Sequence, residues 1–201
     1  MGHAIDSIVR FPNNGSPRTY GCSMSHSADT FNETIKDSLV LLAHFDRLHK
    51  ESPDDAEVLK RAGLVMAFTA WETYVEDRIR EAIQDRLQIV NGSPIGEFVS
   101  RSLEEELKRF HNPNSEKTRK LFLDYLRIDV TTNWTLLNFS PTEAKKRLDL
   151  LISKRGDVVH RSISSSGNAK PHPVKRDDLA KAIAFLKELV KATDQALVGN
   201  R

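Results

Sequence analysis

The stretch Arg155-Gly156-Asp157-Val158-Val159-His160, flanked by Lys154 and Arg161, holds the residues best suited to chemistry. Arg is permanently charged and presents a planar fork of donors that suits a phosphate. His titrates near neutrality and can give or take a proton. Beside an RNA phosphodiester the two suffice for cleavage without a metal, because the neighbouring 2′-hydroxyl supplies the nucleophile. DNA lacks that hydroxyl and would not react in this way. The competing reading is structural: Arg155 pairs with a carboxylate and His160 caps a helix end. Arg and His at this spacing are common, so the spacing alone does not decide.

The elements that must position this stretch are helical. Ser140-Pro141-Thr142-Glu143 has the pattern of a capping box with Pro at the first helical position. The helix it opens carries Ala144, Leu148, Leu151 and Ile152 on one face. Arg155 follows Leu151 by four and Leu148 by seven, so it continues that inward stripe. A cation at a helix–helix seam needs a partner or a bound anion. On an unbroken helix positions 155 and 160 lie about 140° apart. For joint action the reading therefore expects a helix end or distortion near Gly156, or a second copy of the site across a dimer interface.

Upstream, residues 1–27 are rich in Gly, Pro, Ser and Asn and read as an irregular, flexible arm. A first helix is expected from near Asp29, with Thr30 and Glu33 at capping-box spacing, to near Lys50. Ser52-Pro53-Asp54-Asp55 is a strong helix start, with Ser52 as cap. The helix it opens should run to about Leu87 or Val90. Its middle, Ala62 to Val75, is nearly all apolar and marks the central buried helix. Glu72 lies inside that middle and shares a face with Phe68 and Val65. A carboxylate there must be paired, because burying it alone is too costly. Either it orients Arg155 or His160, or it forms a structural ion pair with another Arg or Lys.

Asn91-Gly92-Ser93-Pro94 should stop the central helix. Shorter helices are expected over 97–110 and 116–128, and residues 129–139 fit a strand, a helical turn or a packed loop equally well. The aromatics there, Trp134 and Phe139, read as core rather than base-stacking platform. A polar loop over 162–175 precedes a last helix, 177–197, with the stripe Leu179, Ile183, Leu186 and Val190. Residues 28–198 are thus expected to form one all-α domain.

Composition narrows the function classes. The 201 residues carry a net charge of +2, so nucleic-acid contact must come from a local patch rather than a polyelectrolyte chain. Lys145, Lys146, Arg147, Lys154, Arg155 and Arg161 could form one, although Lys145 to Arg147 read rather more as a solvated helix face. A single cysteine, Cys22, excludes an internal disulfide framework and a cysteine-cluster zinc site. The His residues show no metal-ligand spacing; His44, His49, His111 and His172 read as surface or core filler. No metal or cofactor is expected. No run is long enough to span a bilayer, and the expected location is the cytoplasm, with no membrane partner. Walker loops, dinucleotide-binding loops and nucleophile elbows are absent.

With these residues in view, the chain resembles the HEPN superfamily of nucleotide-binding helical domains. KRGDVVHR (154–161) and FTAWETYVEDRI (68–79) carry the resemblance, closest to the RiboL-PSP-HEPN branch and a second, related prokaryotic one. In layout it covers roughly residues 28–198. It implies an antiparallel bundle with a four-helix core and extra short helices. It also implies metal-independent endoribonuclease activity through an Arg-x4-His motif, in a toxin–antitoxin, phage-defence or RNA-processing setting. By the resemblance, Arg155 stabilises the phosphate and His160 transfers protons, with Glu72, Asp157 and Arg161 in support. The family commonly carries a polar residue directly after the Arg, where this chain has Gly156 followed by Asp157. The implied partners are RNA, a second copy of the chain, and in some settings an antitoxin or other protein. The alternative is a non-catalytic helical module that binds RNA or protein, such as a regulatory subunit.

Overall fold

A computed structural model describes residues 24–161 and 174–198, with the side chains of 159–161 outside the description. The described chain forms six α-helices and two short 3-10 turns, with no strand among the described residues. Residues 1–23, in the expected arm, and residues 162–173, expected as a polar loop and including His172, lie outside it.

Helix α1 spans His26–Leu48. It starts three residues before the expected Asp29. Ser25 caps it, its hydroxyl accepting from the Ala28 amide at 3.1 Å. Thr30 is no cap: it lies inside the helix and its hydroxyl donates to the His26 carbonyl. The reason is tertiary. Asp194 accepts from both the amide and the hydroxyl of Ser25, at 2.8 and 2.9 Å. The helical register thus reaches into the stretch expected to be a loose arm.

Helix α2, Pro53–Leu87, is the beam of the fold. Its 35 residues span about 52 Å at the usual rise. It packs against every other helix. Leu64, Ala67, Phe68, Ala70, Trp71, Tyr74, Val75 and Ile79 are all buried, so it is the central helix the sequence pointed to. At Gly63 it passes so close to its neighbours that an added Cβ would lie 2.9 Å from Leu179 Cδ2. Ser52 stands at the cap position, but its hydroxyl donates to Asp55 at 2.6 Å instead of capping the backbone.

The 3-10 turn Gln88–Val90 and Gly92, at φ 75°, reverse the chain. Helix α3, Pro94–Leu107, then begins three residues earlier than expected. Ser93-Pro94, part of the expected stop for α2, is also the cap and first position of α3. Helix α4 spans Ser115–Leu126, capped by Asn114. The ambiguous segment resolves into a 3-10 turn, Val130–Asn133, followed by a tight reversal closed by an isolated bridge between Leu136 and Phe139. Its Trp134 is core: the ring meets Trp71 edge-on and the indole N–H donates to Thr193 at 3.0 Å.

Helix α5 spans Pro141–Arg161, and the Ser140–Glu143 box that opens it is formed. Glu143 accepts from the Ser140 amide and hydroxyl at 2.9 and 2.7 Å. These bonds hold the Glu143 carboxyl below the usual range. Helix α6, Arg176–Val198, buries the expected stripe Leu179, Ile183, Leu186 and Val190 against the rest. One contiguous apolar cluster runs from Ala28 in α1 to Leu197 in α6.

Candidate functional site

Arg155 lies one turn beyond Leu151 on α5, and Leu148 and Leu151 are fully buried beneath that face. The stripe therefore carries Arg155 to the seam as expected, leaving it half-buried. One arm of its guanidinium, Nη1, donates to the side-chain carbonyl of Asn112. Its Nε is buried without a hydrogen-bond partner. Among the described residues no carboxylate pairs with it. A charge-assisted donor fork is thus held in place by a neutral amide.

Asn112 belongs to the loop between α3 and α4 and adopts φ 53°, a left-handed conformation that Asn tolerates better than most residues. Several bonds fix that loop. The Trp71 indole donates to the Pro113 carbonyl at 2.9 Å, and Lys117 Nζ donates to the His111 carbonyl at 2.6 Å. On the α5 side Asp149 accepts from the amide and hydroxyl of Ser115, both at 2.8 Å. The loop is therefore pinned to α2 and α5 at once.

Glu72 completes the arrangement from α2. Its Oε2 accepts from the Asn112 amide at 3.2 Å, and its Oε1 lies 3.5 Å from His111 Nδ1. Glu72 bonds to no Arg or Lys among the described residues, and the His160 side chain lies outside them. Its link to Arg155 runs through Asn112, whose backbone it holds, and its other oxygen faces an imidazole. His111, read from the sequence as filler, is that imidazole.

The expected distortion at Gly156 does not occur. Helix α5 runs unbroken from Pro141 to Arg161, and nothing lies within 4 Å of where a Gly156 Cβ would be. Backbone positions 155 and 160 are therefore about 140° apart around one axis. His160 and Arg161 lie in the last turn of α5, with side chains outside the described residues. Asp157 is half-buried and forms no hydrogen bond or ion pair with another described side chain. Of the basic cluster, Lys154 sits 3.9 Å from Asp178 on α6, while Lys145, Lys146 and Arg147 form no ion pair among the described residues. His44 contacts Arg47, and His49 stacks on Phe45, as filler would.

Asn112 and His111 are the residues the sequence reading missed. Their partners are tens of residues away, and His111-Asn112-Pro113-Asn114 has the composition of an ordinary separator. No group of three His, Cys, Asp or Glu side chains placed to hold a metal ion occurs among the described residues. None of their helices is long and apolar enough to cross a membrane.

Comparison with known families adds one match, to the family model described as RiboL-PSP-HEPN, over residues 32–199. No curated protein and no solved structure gives a significant match. The match takes in α2, the α3–α4 loop, the whole of α5 and all of α6, so the all-helical bundle just described and the family model cover the same stretch of chain. The chain belongs to the RiboL-PSP-HEPN family.

Proposed function

We propose that the chain is a metal-independent endoribonuclease, with Arg155 and His160 as its catalytic residues. One observation carries most of the weight: Arg155 is fixed at a helix seam, yet the described residues leave its charge uncompensated. Holding a guanidinium without a counter-ion is costly. That arrangement makes sense where an anion arrives from solution.

In the reaction the 2′-oxygen attacks phosphorus and the P–O5′ bond breaks. The products are a 2′,3′-cyclic phosphate and a 5′-hydroxyl. Arg155 stabilises the charge that gathers on the phosphoryl oxygens. His160 exchanges a proton with the attacking or the leaving oxygen. Arg161, next in sequence, and the basic residues of α5 draw in the RNA backbone. A homodimer would bring a second imidazole to the cleft, and the cytoplasm would supply the RNA.

The test is incubation of the purified protein with mixed RNA in excess EDTA, beside Arg155→Ala and His160→Ala. The parent should cleave and leave cyclic-phosphate ends, and each variant should lose on the order of 10²-fold or more. Retention of RNA without cleavage would favour a binding module. Equal cleavage by all three proteins would sink the assignment.

A further inference from the structure

Breaking P–O5′ by an internal 2′-hydroxyl takes two proton transfers, one from O2′ and one to O5′. A single imidazole at the end of α5 accounts for one. The continuous helix sets position 160 well round the axis from Arg155, while the Arg155 guanidinium is turned to the α3–α4 loop. A group suited to the other transfer should therefore be sought on that loop.

His111 is there. It directly precedes Asn112, the residue that grips Arg155. Its side chain is 69% exposed, with Nδ1 3.5 Å from Glu72 Oε1. A carboxylate within ion-pair reach of Nδ1 leaves Nε2 as the nitrogen that carboxylate does not engage. The other oxygen of that carboxylate accepts from the Asn112 amide. Glu72 thus sets the position of the imidazole and of the guanidinium's holder together. The charged groups around His111 come from three elements: Glu72 on α2, Lys117 on α4 through the His111 carbonyl, and Arg155 on α5 through Asn112.

We infer that His111, oriented by Glu72, is the general acid of this site. The inference rests on the nuclease reading above. As P–O5′ breaks, the His111 imidazolium passes its Nε2 proton to O5′, while His160 accepts the proton of O2′. Water then returns both imidazoles to their starting states. No oxidant, reductant or further co-reactant takes part.

The deciding experiment compares two linkages. A mixed-sequence RNA oligonucleotide is cleaved by the parent in EDTA and its scissile bond mapped. The same oligonucleotide is then made with sulfur in place of the bridging 5′-oxygen at that bond. A thiolate leaves without being protonated, so loss of the general acid is harmless there. His111→Gln should slow cleavage of the ordinary linkage on the order of 10²-fold. On the sulfur linkage it should cleave nearly as fast as the parent. Glu72→Gln should show the same pattern more weakly. His160→Ala and Arg155→Ala should remain slow on both linkages. Equal slowing of both linkages by His111→Gln would assign His111 a structural or binding role, and parent-like cleavage of the ordinary linkage would assign it none. Either result overturns the inference while leaving the nuclease reading intact. A parent that fails to cleave would overturn both. Because His111 is exposed, His111→Gln should melt with the parent, and a thermal melt checks this.

Discussion

Two arginines of this fold, one buried and one half-buried, are met in different ways. Arg78, on α2, is 2% exposed, and its Nε donates to Asp194 at 2.8 Å. Tyr74 donates to the same carboxylate, and Ser25 ties the start of α1 to it. Burial, with Asp194 beside it, pushes the Tyr74 hydroxyl well above its ordinary range, so it stays a donor. Arg155, on α5, meets only the amide of Asn112 among the described residues. Each guanidinium has one buried nitrogen without a hydrogen-bond partner. The difference lies in the counter-charge. Arg78 is neutralised within the fold and serves the fold. Arg155 has no carboxylate partner among the described residues.

The comparison would break most visibly in stability. Removing one partner of a buried ion pair strands the other charge and costs about 3–5 kcal/mol. Arg78→Met and Asp194→Ala should each show a loss of that size in urea titrations. Arg155→Met strands no carboxylate among the described residues, and its cost should stay within about 1 kcal/mol. A loss matching that of Arg78→Met would mean that Arg155 is structural after all.

Asn112→Gly should divide the two regions by activity. Glycine suits the left-handed backbone and removes only the amide that holds Arg155. RNA cleavage should fall on the order of 10²-fold from misplacement of the guanidinium. The urea midpoint should hardly move. Unchanged cleavage would show that Asn112 does not position Arg155.

A smaller effect is expected from Ser140→Ala, which takes away the box at the far end of α5. About 1 kcal/mol should go, read in the same titrations, with cleavage per folded molecule unchanged. The smallest is a pH effect. The Arg176 hydrogen bond holds the Asp46 carboxyl below its ordinary range, tying the end of α1 to the start of α6. A depressed carboxyl contributes stability above its unfolded pKa and loses it as pH falls through the folded one. Asp46→Asn should therefore melt slightly below the parent near neutrality, and the gap should close as pH falls through and below the ordinary aspartate range. The exposed position keeps this contribution small.

The helices were legible because their signals are local. The Ser140 box, the Leu148–Leu151–Arg155 stripe and the apolar centre of α2 all lie within a few turns of themselves. That locality also brought Arg155 to the seam on paper. What escaped depends on partners far along the chain. Ser25 replaces Thr30 as a cap because Asp194 reaches it from 169 residues away. Asn112 and His111 looked like turn filler because Glu72 and Arg155, which give them their roles, meet them only in three dimensions. Gly156 misled in the opposite direction. Its intrinsic flexibility suggested a break, yet α5 continues through it because a helix is decided by its neighbours as much as by one residue.

The Glu72–Asn112–Arg155 chain has a consequence for when the site exists. Its members stand 40 and 43 residues apart, and the links between them are single hydrogen bonds. Helices α1 and α2 form a neighbouring pair that a growing chain can dock early. The charged site has no such local precursor. During synthesis Glu72 is in place long before Asn112, and Arg155 arrives last. Local opening of the α3–α4 loop in the finished molecule would likewise release the guanidinium while the apolar core stays closed. Placement of Arg155 therefore depends on contacts that only the later parts of the chain supply.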